Sequence, residues 1–194
     1  MPSAPTPRTD QRVVLVGVSW EQYAGLVKSV GEAPALRMTY LDGTLEIMTT
    51  SPEHEFDKKL IARLVEAYAD EQQLPLIGCG NATWKRKARN AGLEADECYF
   101  FEHVGSRPDL AIEVVKTSGS VDKLAVYQRL RIPEVWFWLK GRFHVFLLGS
   151  AGYEPSPTSR FLPGLDLAAL AEIVSTTGLE DQHLAVRSFR ASLR

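Results

Sequence analysis

Two acidic residues near the middle of the chain have the type and spacing needed for metal-dependent chemistry. Asp96 comes directly before the strand-like run 97–101, and Glu113 lies inside the apolar run 110–115. A carboxylate within an apolar strand is costly to bury unless a cation, a hydrogen-bond donor or a metal compensates it. If the two strands are neighbours, Asp96 and Glu113 converge, and two carboxylates with backbone oxygens and waters suit Mg²⁺. The alternative is a structural ion pair between Glu113 and a Lys or Arg.

A lysine after Glu113 decides between these two interpretations. Strand alternation puts Lys116 on the opposite face from Glu113. The position two residues after Glu113, which shares its face, is occupied by Val115 rather than by a lysine. Lys123 falls in the first turn of a predicted helix, where the helix dipole disfavours a cation. This placement indicates that Lys123 faces an anion, such as a phosphate or the two carboxylates. The alternative is a solvated surface lysine.

A basic stretch begins within the predicted strand 83–86 and continues to residue 89. We expect a flexible basic loop there, which beside an acidic site would position phosphate groups. A solvated loop is the alternative, because most charge runs are exposed to water. The neighbouring Trp84 could stack on a base or pack against the protein. The four cations of the stretch are Lys85, Arg86, Lys87 and Arg89.

Local signals predict the elements that position these groups. A capping box at Ser19 begins a helix that Gly31 ends, and the Asp42-Gly43 pair predicts a hairpin over 38–48. Ser51 and Pro52 begin the longest helix, 52–72, whose apolar stripe runs from Phe56 to Tyr68. This order of elements predicts an α/β fold with a central mixed β-sheet flanked by helices. The other predicted strands are 13–18, 76–79, 83–86, 97–101, 110–115, 135–139 and 143–148, and the other predicted helices are 122–131 and 165–174.

Composition and charge exclude several classes of protein. The chain of 194 residues is 45% hydrophobic and 24% charged, which is typical of a globular protein. The net charge of −2 excludes a globally basic nucleic-acid coat protein but leaves room for a local basic groove. The apolar runs are too short to span a bilayer. Residues 1–10 lack the apolar segment of a secretory signal, so we expect a cytoplasmic protein without a membrane span.

The chain has no linker that would divide it. We expect a flexible arm over 1–11, a single domain over 12–175 and a C-terminal extension over 176–194. Cys79 and Cys98 form neither a CxxC motif nor a Cys/His zinc pattern. We therefore expect two buried reduced thiols rather than a disulfide or a pair of metal ligands.

Six segments, taken in their order and spacing, resemble the Uma2 family of restriction-endonuclease-like proteins. The resemblance covers about residues 13–174. It implies a PD-(D/E)xK nuclease fold, in which an acidic site lies on two adjacent strands of a central mixed sheet. The segments are Tyr40–Met48, Ser51–Glu55, Ala95–Tyr99, Pro108–Val114, Lys123–Tyr127 and Ile132–Trp136.

The same resemblance assigns expected roles to individual residues. Asp96 and Glu113 match the family's two acids, and Lys123 matches the lysine that this family supplies from the following helix. His54 and Glu55 match the family's N-terminal helix, whose acid often joins the site in related nucleases. Helical spacing leaves open whether Glu53 or Glu55 faces the site.

The resemblance implies Mg²⁺-dependent hydrolysis of DNA phosphodiester bonds. Asp96 and Glu113 would hold Mg²⁺ or Mn²⁺, which lowers the pKa of a bound water. Lys123 would orient that water or help to deprotonate it, and would offset negative charge on the phosphate. DNA is the expected partner, and a homodimer is possible for a nuclease of this fold. The alternative is a non-catalytic nucleic-acid-binding or interaction protein on a nuclease scaffold, because fold alone does not determine function.

Overall fold

The structure is a computed structural model that describes residues 10–31, 36–116 and 121–194. Within these ranges the chain forms eleven strands and five α-helices. The strands are β1 (Gln11–Val16), β2 (Leu36–Leu41), β3 (Thr44–Thr49), β4 (Leu76–Gly78), β5 (Thr83–Arg86), β6 (Ala91–Glu94), β7 (Glu97–Phe101), β8 (Leu110–Val115), β9 (Glu134–Leu139), β10 (Arg142–Leu148) and β11 (Tyr153–Ser156). The helices are α1 (Trp20–Val30), α2 (Pro52–Glu71), α3 (Lys123–Leu130), α4 (Leu167–Thr176) and α5 (Gln182–Ser192).

The strands form two sheets, where the sequence predicts one. The first sheet is antiparallel, with the order β1-β3-β2-β6-β5. Its β2–β3 hairpin turns at Asp42 and Gly43, and both have the positive φ that tight hairpin turns require. Helix α1 begins at the predicted Ser19 capping box and packs Tyr23 against Tyr40 of β2, with the ring centroids 4.7 Å apart.

The second sheet is mixed and has the order β11-β10-β9-β8-β7-β4. Strands β8 and β9 are parallel, so a crossover must join them, and α3 is that crossover. Helix α2 packs on one face of this sheet, with its apolar stripe against Tyr99, Ile112 and Trp136. Phe56 is the exception within the stripe, since it lies near the start of α2 and remains exposed.

Helix α3 packs on the other face of the second sheet and against the first sheet. Val126 and Tyr127 of α3 share a core with Leu93 of β6, Cys98 of β7 and Ala111 of β8. The chain leaves the second sheet after β4, forms β5 and β6 in the first sheet, and returns at β7. The return places residues 95–96 at the junction of the two sheets.

Two strands and one α-helix were absent from the sequence prediction. Strand β6 holds Gly92 against Tyr23, where a Cβ would overlap the tyrosine hydroxyl, so packing rather than strand propensity selects its sequence. Strand β11 is a short edge strand. Helix α5 docks on α2, where Arg190 pairs with Asp70 at 2.7 Å. At the other terminus, Gln11 of the expected arm begins β1, and residues 1–9 lie outside the described ranges.

Candidate active site

Asp96 stands where the chain crosses from β6 to β7. Its side chain is 1% exposed, and its Oδ2 accepts a hydrogen bond of 2.9 Å from the backbone N–H of Val114. Because β7 and β8 are antiparallel neighbours, this bond holds Asp96 beside the centre of β8. The two strands pair as the sequence analysis required for Asp96 and Glu113 to converge.

Glu113 lies in the middle of β8 with no exposed surface. Its Oε2 accepts a hydrogen bond of 2.5 Å from Lys123 Nζ, and its Oε1 accepts one from the Tyr127 hydroxyl. Lys123 and Tyr127 are four residues apart on α3, so their side chains lie on one face of the helix. The sequence analysis did not assign Tyr127 to the site, although its spacing from Lys123 is the signal that identifies it.

The charges of the site follow from burial and from these contacts. Burial raises the pKa of Glu113, and the Lys123 ammonium opposes that effect only in part. Burial lowers the pKa of Lys123, but the carboxylates of Glu113 and Asp96 raise it above its usual value. Burial raises the pKa of Asp96, yet His54 and Lys123 hold it well below its usual range. Near neutral pH, Lys123 is therefore a cation facing an ionised Asp96.

His54 supports Asp96 from the first turn of α2. The imidazole is fully buried, with Nε2 3.0 Å from Asp96 Oδ1 and Nδ1 3.2 Å from Asp10 Oδ2. Asp10 also accepts a 2.8 Å hydrogen bond from Ser51 N, the cap residue of α2. Burial lowers the pKa of His54, but the carboxylates of Asp96 and Asp10 raise it by more than burial lowers it. The pKa of His54 is therefore above its usual value. No sequence signal marked Asp10, since it lies within the expected arm.

The structure brings Glu55, and not Glu53, toward Asp96. Glu53 is exposed on the outer side of α2. Arg37 of β2, which is 3% exposed, lies 3.7 Å from Glu55 Oε1 and 3.7 Å from Asp96 Oδ1. Lys58 also pairs with Glu55, at 2.5 Å. Glu55 thus contacts the site through Arg37, a buried arginine that the sequence analysis did not single out.

The basic stretch is not the flexible loop that the sequence analysis expected. Lys85 and Arg86 belong to β5, which matches the predicted strand 83–86, and Lys87–Arg89 form a short 3-10 helix. Trp84 is half-buried and packs edge-on against Phe100, with centroids 6.0 Å apart, which supports the packing interpretation. The stretch is ordered because β5 pairs along its length with β6.

The basic stretch also lies at some distance from the acids. Arg129 in the last turn of α3 donates a 3.0 Å hydrogen bond to the carbonyl of Arg89. Lys123 opens the same helix six residues earlier, and a helix rises 1.5 Å per residue, so roughly 9 Å of helix separates the two ends. Lys87 pairs with Glu21 at 2.9 Å. The four cations are exposed and are not brought together with Asp96 and Glu113.

The donor set fits a hard cation with few protein ligands. In the described ranges, no three His, Cys, Asp or Glu side chains converge as a complete metal-binding group. The Lys123 ammonium pairs with Glu113 and also interacts electrostatically with Asp96, whose Oδ1 lies 3.0 Å from His54 Nε2 and 3.7 Å from Arg37 Nε. Mg²⁺ keeps several waters and requires only one or two carboxylates, so these two residues are a sufficient protein contribution.

A pocket of about 390 Å³ opens beside Lys123. Asp10 and Arg12 line it near the site, and Phe137 and Phe146 contribute to a mostly apolar wall formed by β8, β9 and β10. The pocket gives Lys123, whose side chain is 14% exposed, access to solvent.

Two sheets flanked by helices are consistent with a restriction-endonuclease-like fold; Asp96 directly precedes β7, Glu113 lies on the neighbouring β8, and Lys123 begins the crossover helix. The family model of Uma2, described as "Putative restriction endonuclease", matches residues 20–188. The match covers most of the chain, which belongs to the Uma2 family. A comparison with curated proteins found no match. The family indicates nuclease function, and no helix in the described ranges has the length and apolarity to cross a membrane.

Proposed function

We propose that this protein is a metal-dependent endonuclease that hydrolyses phosphodiester bonds of DNA. One observation carries the proposal: a fully buried Glu113 holds the Lys123 ammonium at 2.5 Å, next to a buried and ionised Asp96. A structural ion pair would not need the second carboxylate, and perturbed groups clustered beside a pocket are typical of active sites.

Asp96 and Glu113 are the residues that would hold Mg²⁺ or Mn²⁺. When bound, such an ion supplies a water of lowered pKa and stabilises negative charge on the phosphate. Lys123, which is cationic at neutral pH, offsets charge that develops on the phosphate oxygens. The Tyr127 hydroxyl and the His54 imidazole keep the two carboxylates in place through their hydrogen bonds and ion pairs.

The substrate proposal rests on the family and on the charge distribution. A nuclease acts on nucleic acid, and exposed cations on β5 and the adjoining 3-10 helix suit contact with a phosphate backbone. We assign these contacts to Lys85, Arg86, Lys87 and Arg89. We further propose a cytoplasmic protein that acts as a homodimer, since a duplex has two strands to cut.

Plasmid cleavage with matched variants tests the proposal. We expect the wild type to nick or linearise supercoiled DNA in the presence of Mg²⁺ or Mn²⁺, and EDTA to stop the reaction. Asp96→Asn, Glu113→Gln and Lys123→Met should each reduce the rate by at least about 100-fold, as for loss of a transition-state interaction. Lys28→Met, on the exposed face of α1, is the matched control. Cleavage that persists in all three variants would exclude this site.

One observation favours the non-catalytic alternative. Both oxygens of Glu113 already accept hydrogen bonds from protein donors, Lys123 and Tyr127. If the protein is a non-catalytic nucleic-acid-binding protein, DNA binding would survive Glu113→Gln and would fail when Lys85 and Arg86 are replaced by Ala. Calorimetric titration with Mn²⁺ distinguishes the two functions, because only the nuclease requires metal binding that Asp96→Asn and Glu113→Gln remove.

A further inference from the structure

Two thiols face each other where the chain leaves the second sheet and where it returns. Strands β4 and β7 are antiparallel, with Gly78 opposite Tyr99 at the end of the ladder. Cys79 and Cys98 form the next facing pair, and Cys79 N donates a 3.0 Å hydrogen bond to the carbonyl of Cys98. Their sulfur atoms are 2.8 Å apart.

The backbone geometry permits a bond between these sulfur atoms. Facing residues of antiparallel strands have Cα atoms about 4.5–5.5 Å apart. Disulfides span Cα separations of about 4.4–6.8 Å. The S–S bond is about 2.05 Å long, so the two sulfur atoms must approach by less than about 1 Å. Small side-chain rotations accomplish this without a change in strand pairing.

We propose that Cys79 and Cys98 are an oxidation site that closes reversibly to a disulfide on reaction with a hydroperoxide. Both thiols are free in the structure. Cys79 is partly exposed and Cys98 is buried, so Cys79 is the residue that meets the oxidant. Cys98 is the resolving thiol, held within contact distance of the first sulfur. The inference stands independently of the proposed nuclease function.

The reaction balances without a further cofactor. The Cys79 thiolate attacks one peroxide oxygen, the O–O bond breaks, and the leaving oxygen takes a proton and departs as water. Cys79 is then a sulfenic acid. The Cys98 sulfur attacks the Cys79 sulfur, the S–O bond breaks, and the hydroxyl leaves as a second water with the proton of Cys98. Two thiols are oxidised and one hydrogen peroxide is reduced to two waters.

The position of the pair determines what the disulfide would hold. Residues 80–97, between the two cysteines, make up β5, β6, the basic stretch and Asp96. A Cys79–Cys98 bond would covalently join the two ends of the segment 80–97 at the second sheet. Cys98 shares a buried core cluster with Ala95 and Tyr127, and it follows Asp96 by two residues, so the bond would form close to Asp96 along the chain.

Mass spectrometry of the full chain tests the inference. The protein is treated with hydrogen peroxide, alkylated and compared with an untreated sample. We expect a loss of two hydrogen atoms per chain and a peptide that links Cys79 to Cys98, both reversed by dithiothreitol. Two alkylatable thiols per chain after treatment, or oxidation of Cys79 to a sulfinic acid without a link, would overturn the proposal.

Two variants test the assignment of roles. In Cys98→Ser, Cys79 should stop at the sulfenic acid, which dimedone captures. In Cys79→Ser, the remaining buried thiol should react at least about tenfold more slowly, because oxidation follows thiolate exposure. Equal reactivity of the two single variants would refute this order. The wild-type measurement needs no variant, so it remains decisive if either substitution impairs folding.

Discussion

Replacing Lys123 by Met should destabilise the protein in a way that depends on pH. The substitution leaves the Glu113 carboxylate fully buried, with the Tyr127 hydroxyl as its one remaining hydrogen-bond donor among the described residues. Breaking a buried ion pair by removing one partner costs about 3–5 kcal/mol, because the other charge remains uncompensated. Glu113 can escape this cost by binding a proton, since burial already raises its pKa.

The sign of the pH dependence follows from proton binding. In Lys123→Met the folded-state pKa of Glu113 rises still further above its unfolded value. The folded state then binds more protons than the unfolded state, so stability falls as pH rises from the unfolded pKa toward the folded one. The slope is about 1.4 kcal/mol per pH unit, and three units between pH 5 and pH 8 account for up to about 4 kcal/mol.

Urea unfolding at pH 5 and pH 8 measures this effect. The proteins compared are the wild type, Lys123→Met, the double variant Lys123→Met with Glu113→Gln, and Lys116→Met. We expect Lys123→Met to lose about 3–5 kcal/mol at pH 8 and much less at pH 5. Adding Glu113→Gln should recover a large part of the loss at pH 8. Lys116→Met is the matched control, since its pair with Asp57 is partly exposed and worth at most about 1 kcal/mol. Equal losses at both pH values, with no recovery in the double variant, would refute the reasoning.

Three further predictions concern neighbouring residues. Tyr127→Phe removes the hydroxyl that donates a hydrogen bond to Glu113, and should lower the free energy of unfolding by about 1.5–3 kcal/mol. An unchanged midpoint of urea unfolding would refute this prediction. Gly92→Ala places a Cβ against the Tyr23 hydroxyl, and should lower the free energy of unfolding by about 1–3 kcal/mol. An unchanged stability in urea unfolding would contradict the close packing. His54 has a raised pKa, so its contribution to stability is complete below its unfolded pKa and is lost as pH rises through the folded value. His54→Gln should therefore flatten the stability profile above about pH 6.5, and an unchanged profile would exclude a protonated imidazole.

Much of the local structure was predictable because its causes are local. The Ser19 capping box, the Asp42-Gly43 turn and the Ser51-Pro52 helix start each depend on residues within one turn of the chain. The alternation along β8 correctly placed Glu113 on the face opposite Val114. Strand β6 was missed because the reason for its glycine, the approach of α1, is not visible in the sequence.

The sequence by itself made Asp96, Glu113 and Lys123 candidate site residues, and it correctly placed Glu113 within a strand, Lys123 at the start of a helix and Asp96 directly before a strand. A carboxylate within an apolar run and a lysine at a helix start are both energetically unfavourable unless a partner compensates them. Such placements can be identified from the sequence alone. The three side chains come near one another because β7 and β8 pair and α3 crosses between β8 and β9.

Only the tertiary structure decided which residues support these three. Asp10 reaches His54 across 44 positions, and Arg37 reaches Asp96 across 59. Contacts at such separations leave no periodic trace in the chain, because each partner is an ordinary polar residue in its own segment. The same holds for the meeting of Cys79 and Cys98, and for the basic stretch at the far end of α3. Long-range pairing of strands, rather than local propensity, sets these neighbours.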